Sequence, residues 1–319
     1  MQKMTLKHTI VTRRFIEEHH DNCTLCGREF QRYERTHLGY TSTRKLIYVG
    51  NCCSSNLKET IIRHSYSQRP YQVPDNSTII WRFMDFTKFI SLVSSGTLFF
   101  SRADKFEDPF EGAKGLKKNK DKWDKLYLEF FEQGYRNPPE GFDFNKSDDE
   151  IKKEAKRLLS ELENGGKLDP QRTFINCWHE NQYESEAMWK LYTKNMSEGI
   201  AIQTTYERLY KALKRNPSIS IGRVKYIDYD ETFTGVNDAF WFKRKSFEHE
   251  KEIRALYKDY NEKLELGKAI EVDVNVLIQK IYVSPTSQDW FFEVVRETMN
   301  KYEIKKKIHR SNMLTEPFY

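Results

Sequence analysis

From Ile79 onward, short apolar runs alternate with amphipathic stretches, and their lengths and spacings predict the elements. TIIWRFM (78–84) reads as a strand, DFTKFISLVSSG as a short helix opened by Asp85 and closed by Gly96, and TLFFS as a second strand. RADKFEDPFEGAKG is loop-like by its Asp, Pro and Gly content. The chain then turns helical and highly charged through DKWDKLYLEFFEQGY and SDDEIKKEAKRLLSELENG, with Ser147 and Asp148 as caps and Gly165 as a stop. Three strands follow, RTFINCWHE, EGIAIQTTY and ISIGRVKYIDY, with an amphipathic helix around SEAMWKLYTKN between the first two. FEHEKEIRALYKDY and AIEVDVNVLIQKIYVSP add further strands, and a helix from Ser287 to Tyr302 precedes the tail. Strands dominate without a regular βαβ rhythm, which predicts an α+β domain with a mainly antiparallel sheet core and interspersed helices.

Upstream the pattern is different. Residues 1–66 are polar and hold four of the five cysteines, and 67–78 are rich in Ser, Pro, Asn and Asp, the composition of a linker. The expected organisation is a small cysteine-rich module at 1–66, a linker at 67–78, and an α+β domain at 79–319 with a helical insertion at about 120–166. The 319 residues suffice for a proper core, and an aromatic content of 14% places Phe, Tyr and Trp at its centre. A formal charge of +6 permits a polyanionic partner without requiring one. No apolar run has the length of a membrane span and the N-terminus lacks the pattern of a secretory signal, so the expectation is a cytoplasmic chain with no membrane partner.

Cys23 and Cys26 form a Cys-x-x-Cys turn with Gly27 after it, and Cys52 and Cys53 are adjacent in YVGNCCSSN. In a reducing compartment such clustering points to zinc, held structurally by a polar segment that needs a staple to fold. Either all four cysteines bind, or one of the second pair binds with His20, His37 or His64 as the fourth ligand; free thiols are the bland alternative. A redox role lacks a thioredoxin-like βαβ context. Nucleic-acid binding through Arg28, Arg32, Arg35 and Arg44 stays open beside a simple solvated basic face.

In FEHEKEIRALY, Glu250 and Glu252 fall on alternate positions of an expected strand and so would share a face. Such a pair does chemistry, binds a cation, or pairs with Lys243, Arg244, Lys251 or Arg254 in solvent. Asp108 and Glu111 lie in the Pro-bearing loop after Ser101, as acid, base or cation ligands or as turn caps. Trp178, Trp189 and Tyr192 stack on a ligand or fill the core. His179 is a general base or a structural histidine, and Cys177 reads as a small core residue. Tyr226 and Lys243 line the same cleft or pack at an edge.

The ordered segments WRFMDF, LFFSRADKFEDPFEG, FINCWHE, MWKLY with EGIAI, VKYIDY, FEHEKEIR and IYVSP together resemble domain-of-unknown-function family 2971, a family of uncharacterised prokaryotic proteins, over roughly Trp81 to Ser311. EKE followed by an apolar strand also looks like the glutamate-bearing strand of ADP-ribosyltransferases, in their arginine-serine-glutamate class. That resemblance implies a split-sheet fold and NAD as substrate, bound through Arg82, Ser101, Asp108, Glu111, Trp178, Trp189, Tyr192, Tyr226, Lys243 and Arg254. It implies Arg82 on the phosphates and ribose, Ser101 orienting the site, Glu252 as the ribose-binding carboxylate and Glu250 addressing the acceptor. FFSRAD offers only Ser101 where that class carries a Ser-Thr-Ser run.

The function expected from this resemblance is transfer of ADP-ribose to a protein or to RNA or DNA, as a prokaryotic toxin or phage-defence effector held by an antitoxin or a defence-system partner. The alternatives are a metal-dependent hydrolase or nuclease in which Asp108, Glu111, Glu250 and Glu252 gather a divalent cation, and a noncatalytic nucleic-acid-binding regulator.

Overall fold

The computed structural model describes residues 22–23, 25–28, 36–40, 46–50, 52–53, 71–137, 145–216, 218–235, 238–260 and 265–319. The chain divides into two compact units, Met1–Pro70 and Tyr71–Tyr319. In the first unit β1 (Thr36–Tyr40) and β2 (Leu46–Gly50) pair as an antiparallel hairpin that the polar sequence does not announce. His20, Arg32, Arg35, Arg44 and His64 lie outside the described residues.

The second unit opens as expected: β3 (Ile79–Asp85), α1 (Phe86–Ser95), then β4 (Thr97–Arg102). Gly96 takes the left-handed conformation and ends α1 by donating its N–H to the Leu92 carbonyl. Asp85 stands at the N-cap position, yet its carboxylate accepts from the Lys194 N–H, 2.7 Å away, and leaves the helix uncapped. The insertion is a helix pair, α2 (Lys120–Arg136) and α3 (Asp148–Arg172), the second opened by a Ser147–Glu150 capping box. The expected stop at Gly165 is not used. Neither Gly165 nor Gly166 adopts positive φ, and α3 continues through Pro170 to Arg172, where β5 begins.

β5 (Thr173–Glu180), α4 (Glu186–Tyr192), β6 (Gly199–Thr205) and α5 (Tyr206–Ala212) follow. ISIGRVKYIDY, expected as one strand, breaks at Val224 into β7 (Ile219–Arg223) and β8 (Lys225–Ile227), because β7 pairs with β10 while β8 turns away to lie parallel to β9 (Phe242–Arg244). β10 (Glu252–Lys258), β11 (Gly267–Glu271), α6 (Val274–Leu277), β12 (Lys280–Val283), α7 (Asp289–Lys301) and β13 (Lys307–Arg310) complete the fold. The tail thus holds a strand that the apolar pattern missed.

Among the described residues the main sheet has nine strands, antiparallel except for the β12–β13 pair. This is an α+β architecture on a mainly antiparallel sheet. One face carries Ile80, Met84, Phe174, Trp178, Ile202, Ile253 and Ala255 into the main core. The other carries two smaller apolar clusters, one around Trp81, Phe83, Met188 and Trp189, the other around Ile175, Leu256, Phe240 and Trp241.

β5 organises the site. Along one edge it pairs with β10 over its whole length. Its other edge is shared, since Ile175 and Phe174 pair with β4 while His179 and Glu180 pair with β3. The sheet therefore splits between β3 and β4 at residues 176–178. Two side chains close the exposed peptide edge: Asn176 donates to the Phe99 carbonyl at 2.9 Å, and Arg82 donates to the Cys177 carbonyl at 2.6 Å.

Candidate active site

Directly opposite residues of an antiparallel pair share a face, so the register sets Glu252 and Arg254 beside His179 and Cys177. This polar patch lies between the two apolar clusters of that face. Glu250 arrives differently from the sequence expectation. Lys245–Glu250 is a 3-10 helix, Lys251 takes a left-handed φ of 40°, and the strand begins only at Glu252. The two glutamates are therefore not alternate residues of one strand. They meet because Lys243, on β9, donates to both, at 2.6 Å to Glu250 and 2.8 Å to Glu252.

The network extends inward from there. Arg254 is wholly buried; it donates to Glu252 at 2.6 Å, to the Phe240 carbonyl at 2.7 Å, and in bidentate fashion to Glu111 at 2.6 and 2.8 Å. Both carboxylate oxygens of Glu252 are thus taken by protein cations, while its backbone N–H donates to the Tyr226 hydroxyl at 2.8 Å. Lys243 also sits 4.5 Å from the Phe247 ring centroid.

The two carboxyls titrate apart. Burial, the hydrogen bond with Glu252 and the Glu252 charge push the Glu250 carboxyl up to about 7, against the pull of Lys243. Burial also acts against the Glu252 anion, but Arg254, the Glu250 hydrogen bond and Lys243 outweigh it and hold the carboxyl well below the usual range. The result is a coupled pair with one ionised member and one whose proton is exchangeable near neutrality. Burial, then the Glu250 charge, raises the Tyr192 hydroxyl above its ordinary value.

His179 brings its Nδ1 within 2.6 Å of the Glu250 carbonyl oxygen, so Nδ1 carries the proton and donates. Its Nε2 is buried without a partner, and burial lowers its pKa, which keeps the ring neutral.

The residues expected from the sequence do not all converge. Trp81 pairs with His179, so by strand alternation its neighbour Arg82 belongs to the opposite face from Glu252. Arg82 lies in the split, its guanidinium 5.8 Å from the Trp178 ring centroid, with no carboxylate partner among the described residues. Burial lowers its pKa, opposed by Cys177 and Tyr192; Tyr192 therefore lies in the field of both Arg82 and Glu250. Ser101 shares the Glu252 face, but its register partner Ile175 is opposite Leu256. Four residues along and two strands across put its backbone about 16 Å from that of Glu252.

Trp178 and Trp189 are sealed in the two cores, with indole N–H groups on Asn176 and Glu184, which leaves neither ring exposed for stacking. Asp108 is not part of the Glu250–Glu252 network: it accepts from Arg244 at 2.7 Å and caps the Phe110 N–H at 3.0 Å. With Asp108 on Arg244, Glu111 on Arg254, and Glu250 and Glu252 on Lys243, the four carboxylates do not form one coordination sphere. Phe247 was not singled out by the sequence, and Arg244 was expected only as a solvent partner of the glutamates; the adjacent Lys243 and Arg244 shortly before an aromatic was the available signal.

In the first unit, the Sγ atoms of Cys23, Cys26, Cys52 and Cys53 all lie within 4.8 Å of one another. Tetrahedral zinc with bonds of about 2.3 Å needs sulfurs about 3.8 Å apart, so all four fit one ion. Gly27, at φ 73°, closes the first turn with its N–H on the Cys23 carbonyl at 2.8 Å. No helix among the described residues is long and apolar enough to cross a membrane.

No protein-family model matches the chain, and no curated protein matches it. Among solved structures it is similar to Thermus sp. 2.9 DarT in complex with NAD+, at 9% identity and a TM-score of 0.33 over 75% of this chain and 97% of that one. It is equally similar to the same protein with carba-NAD+ and with ADP-ribosylated ssDNA, each at 10% identity, a TM-score of 0.33, and 75% and 96% coverage. A likeness at that level says nothing about this chain's chemistry, which rests on its own residues.

Proposed function

We propose that the chain consumes NAD and transfers ADP-ribose to a protein or nucleic-acid acceptor, in the manner of a toxin or defence effector. The observation that carries this reading is the buried pair Glu250 and Glu252, joined by Lys243 at 2.6 and 2.8 Å, next to a split in the sheet where the Arg82 guanidinium bonds the Cys177 carbonyl and has no carboxylate partner among the described residues. Cleavage of the bond between nicotinamide and ribose leaves an oxocarbenium-like sugar, which a buried carboxylate stabilises, while a guanidinium suits the pyrophosphate.

Glu250 keeps the acceptor-facing role expected from the sequence, while the ribose-binding role expected of Glu252 is not retained in this proposal. Glu252 is saturated by Lys243 and Arg254 and serves to hold the local field. Glu250, with its carboxyl near 7, takes the proton that the acceptor loses as it attacks the ribose carbon. Tyr192, in the field of both Arg82 and Glu250, borders the place for the sugar. Cys23, Cys26, Cys52 and Cys53 would hold zinc, whose contribution is to fold the first unit.

The test supplies labelled NAD with lysate protein, RNA and DNA in separate arms, and follows nicotinamide release and label transfer. Wild type should transfer in one arm, with a rate rising through pH 7 as Glu250 ionises. Glu250→Gln should lose transfer, and Arg82→Met should raise KM for NAD. Absence of nicotinamide release by wild type in every arm would overturn the proposal.

A further inference from the structure

We propose that a cavity between the loop after β4 and the α2–α3 helix pair binds a nucleoside monophosphate through Lys114. The cavity holds about 550 Å³, within the range that encloses a small organic ligand. Its walls are of two kinds. Trp123 and Phe233 contribute aromatic surface, Lys114 places its ammonium there, and the exposed Lys117 and Lys167 line the rim with Lys120, which is already paired with Asp124 and Glu163.

The acids in the lining are already engaged. Glu163 pairs with Lys120, and Glu111 is held bidentately by Arg254. Among the described residues Lys114 and Lys117 make no ion pair, and Lys167 reaches only the Asn164 amide oxygen at 3.5 Å. The Lys114 ammonium therefore stands in a cavity whose acids are engaged elsewhere, with two exposed lysines at its rim.

Lys114 is held inside rather than extended into solvent. Its ammonium lies 5.1 Å from the Trp123 ring centroid, and burial lowers its pKa against the more distant pull of Asp169 and Glu163. The room for it comes from Gly166 on α3, where an added methyl would overlap the ammonium. A half-buried cation without a counter-ion is costly, and an anion in the cavity removes that cost. A phosphate dianion matches the Lys114 ammonium with the basic rim of Lys117 and Lys167, and a flat base matches the apolar walls; a nucleotide supplies both. The proposal stands on this cavity alone, whether or not the NAD reading holds.

Calorimetric titration of the full chain with GMP or UMP, neither of which is a half of NAD, provides the test. Either nucleotide should bind at least tenfold more tightly than inorganic phosphate or the matching nucleoside. Lys114→Gln should weaken binding at least tenfold with an unchanged circular dichroism spectrum. Gly166→Ala should also weaken it by displacing the ammonium, without loss of stability, because alanine favours the helix. Lys118→Gln, whose ammonium pairs with Asp230 and does not line the cavity, should leave binding unchanged. The proposal fails if neither nucleotide binds, if phosphate alone binds as tightly, or if Lys114→Gln binds like wild type. It fails equally if Arg82→Gln abolishes nucleotide binding, which would move the ligand to the split in the sheet.

Discussion

Replacing Glu250 with Gln should make the protein more stable than wild type above neutral pH and leave it unchanged in mild acid. The Glu250 carboxyl lies at about 7 in the folded chain against an ordinary 4.5, raised first by burial and then by Glu252. A raised carboxyl pKa means that the native state binds more protons than the unfolded one between those two values. Its contribution is fully present below about 4.5 and is lost as pH rises through about 7. At roughly 1.4 kcal/mol per pH unit the difference corresponds to about 3 kcal/mol, which solvent reaching the open side of the carboxyl trims to about 2 kcal/mol. Gln has the shape of the protonated acid: its carbonyl accepts from Lys243, its amide donates toward Glu252, and it carries no charge to repel that neighbour. Urea unfolding followed by far-UV circular dichroism, at about pH 5, 6.5 and 8 for both proteins, isolates the effect, because titrations common to the two cancel in the difference. Parallel stability profiles, or a variant less stable than wild type at the highest pH, would refute the reasoning.

Arg254→Met leaves Glu111 and Glu252 buried with one cation fewer, so unfolding by urea at neutral pH should show a loss of about 3–5 kcal/mol that shrinks in acid as the carboxyls protonate; a loss below about 1 kcal/mol would show that the network carries little. Gly112, at φ 75°, sits where a methyl would run into the Phe240 ring. Gly112→Ala should therefore cost about 1–3 kcal/mol in thermal or urea unfolding and displace Glu111 from Arg254; a neutral result would mean that the loop is free to move. Elemental analysis of purified protein should find about one zinc per chain, lost in Cys26→Ser; an undiminished metal content in that variant would exclude the four-cysteine site.

The candidate site was legible in part. Glu250 and Glu252, two positions apart, with Lys243 and Arg254 close by in sequence, announce a charge cluster. Their burial does not show in composition, because the same residues would make an ordinary solvated face. The helical insertion was recognised, but its end was not: glycine is a stop only where the chain leaves the helix through positive φ, and at Gly165 it does not. For Trp178 and Trp189 the sequence favours core packing while leaving a stacking role open, and both are buried in the core.

Local pattern determined the strand, helix, strand opening, the mainly antiparallel character of the sheet and the two cysteine pairs, whose meeting within 4.8 Å is tertiary, because periodicity and close ligand spacing are properties of neighbouring residues. Tertiary structure decided the rest. The shared edge of β5, which opens the split occupied by Arg82, depends on pairing between residues about 70 to 100 positions apart. The bridging of Glu111 to Glu252 through Arg254 joins residues 143 apart in the Glu111–Arg254 contact. The pKa of Glu250 and the place of Lys114 depend likewise on which distant side chains share a low-dielectric space. Such contacts are decided by register and packing across the whole sheet, which no local stretch of sequence encodes.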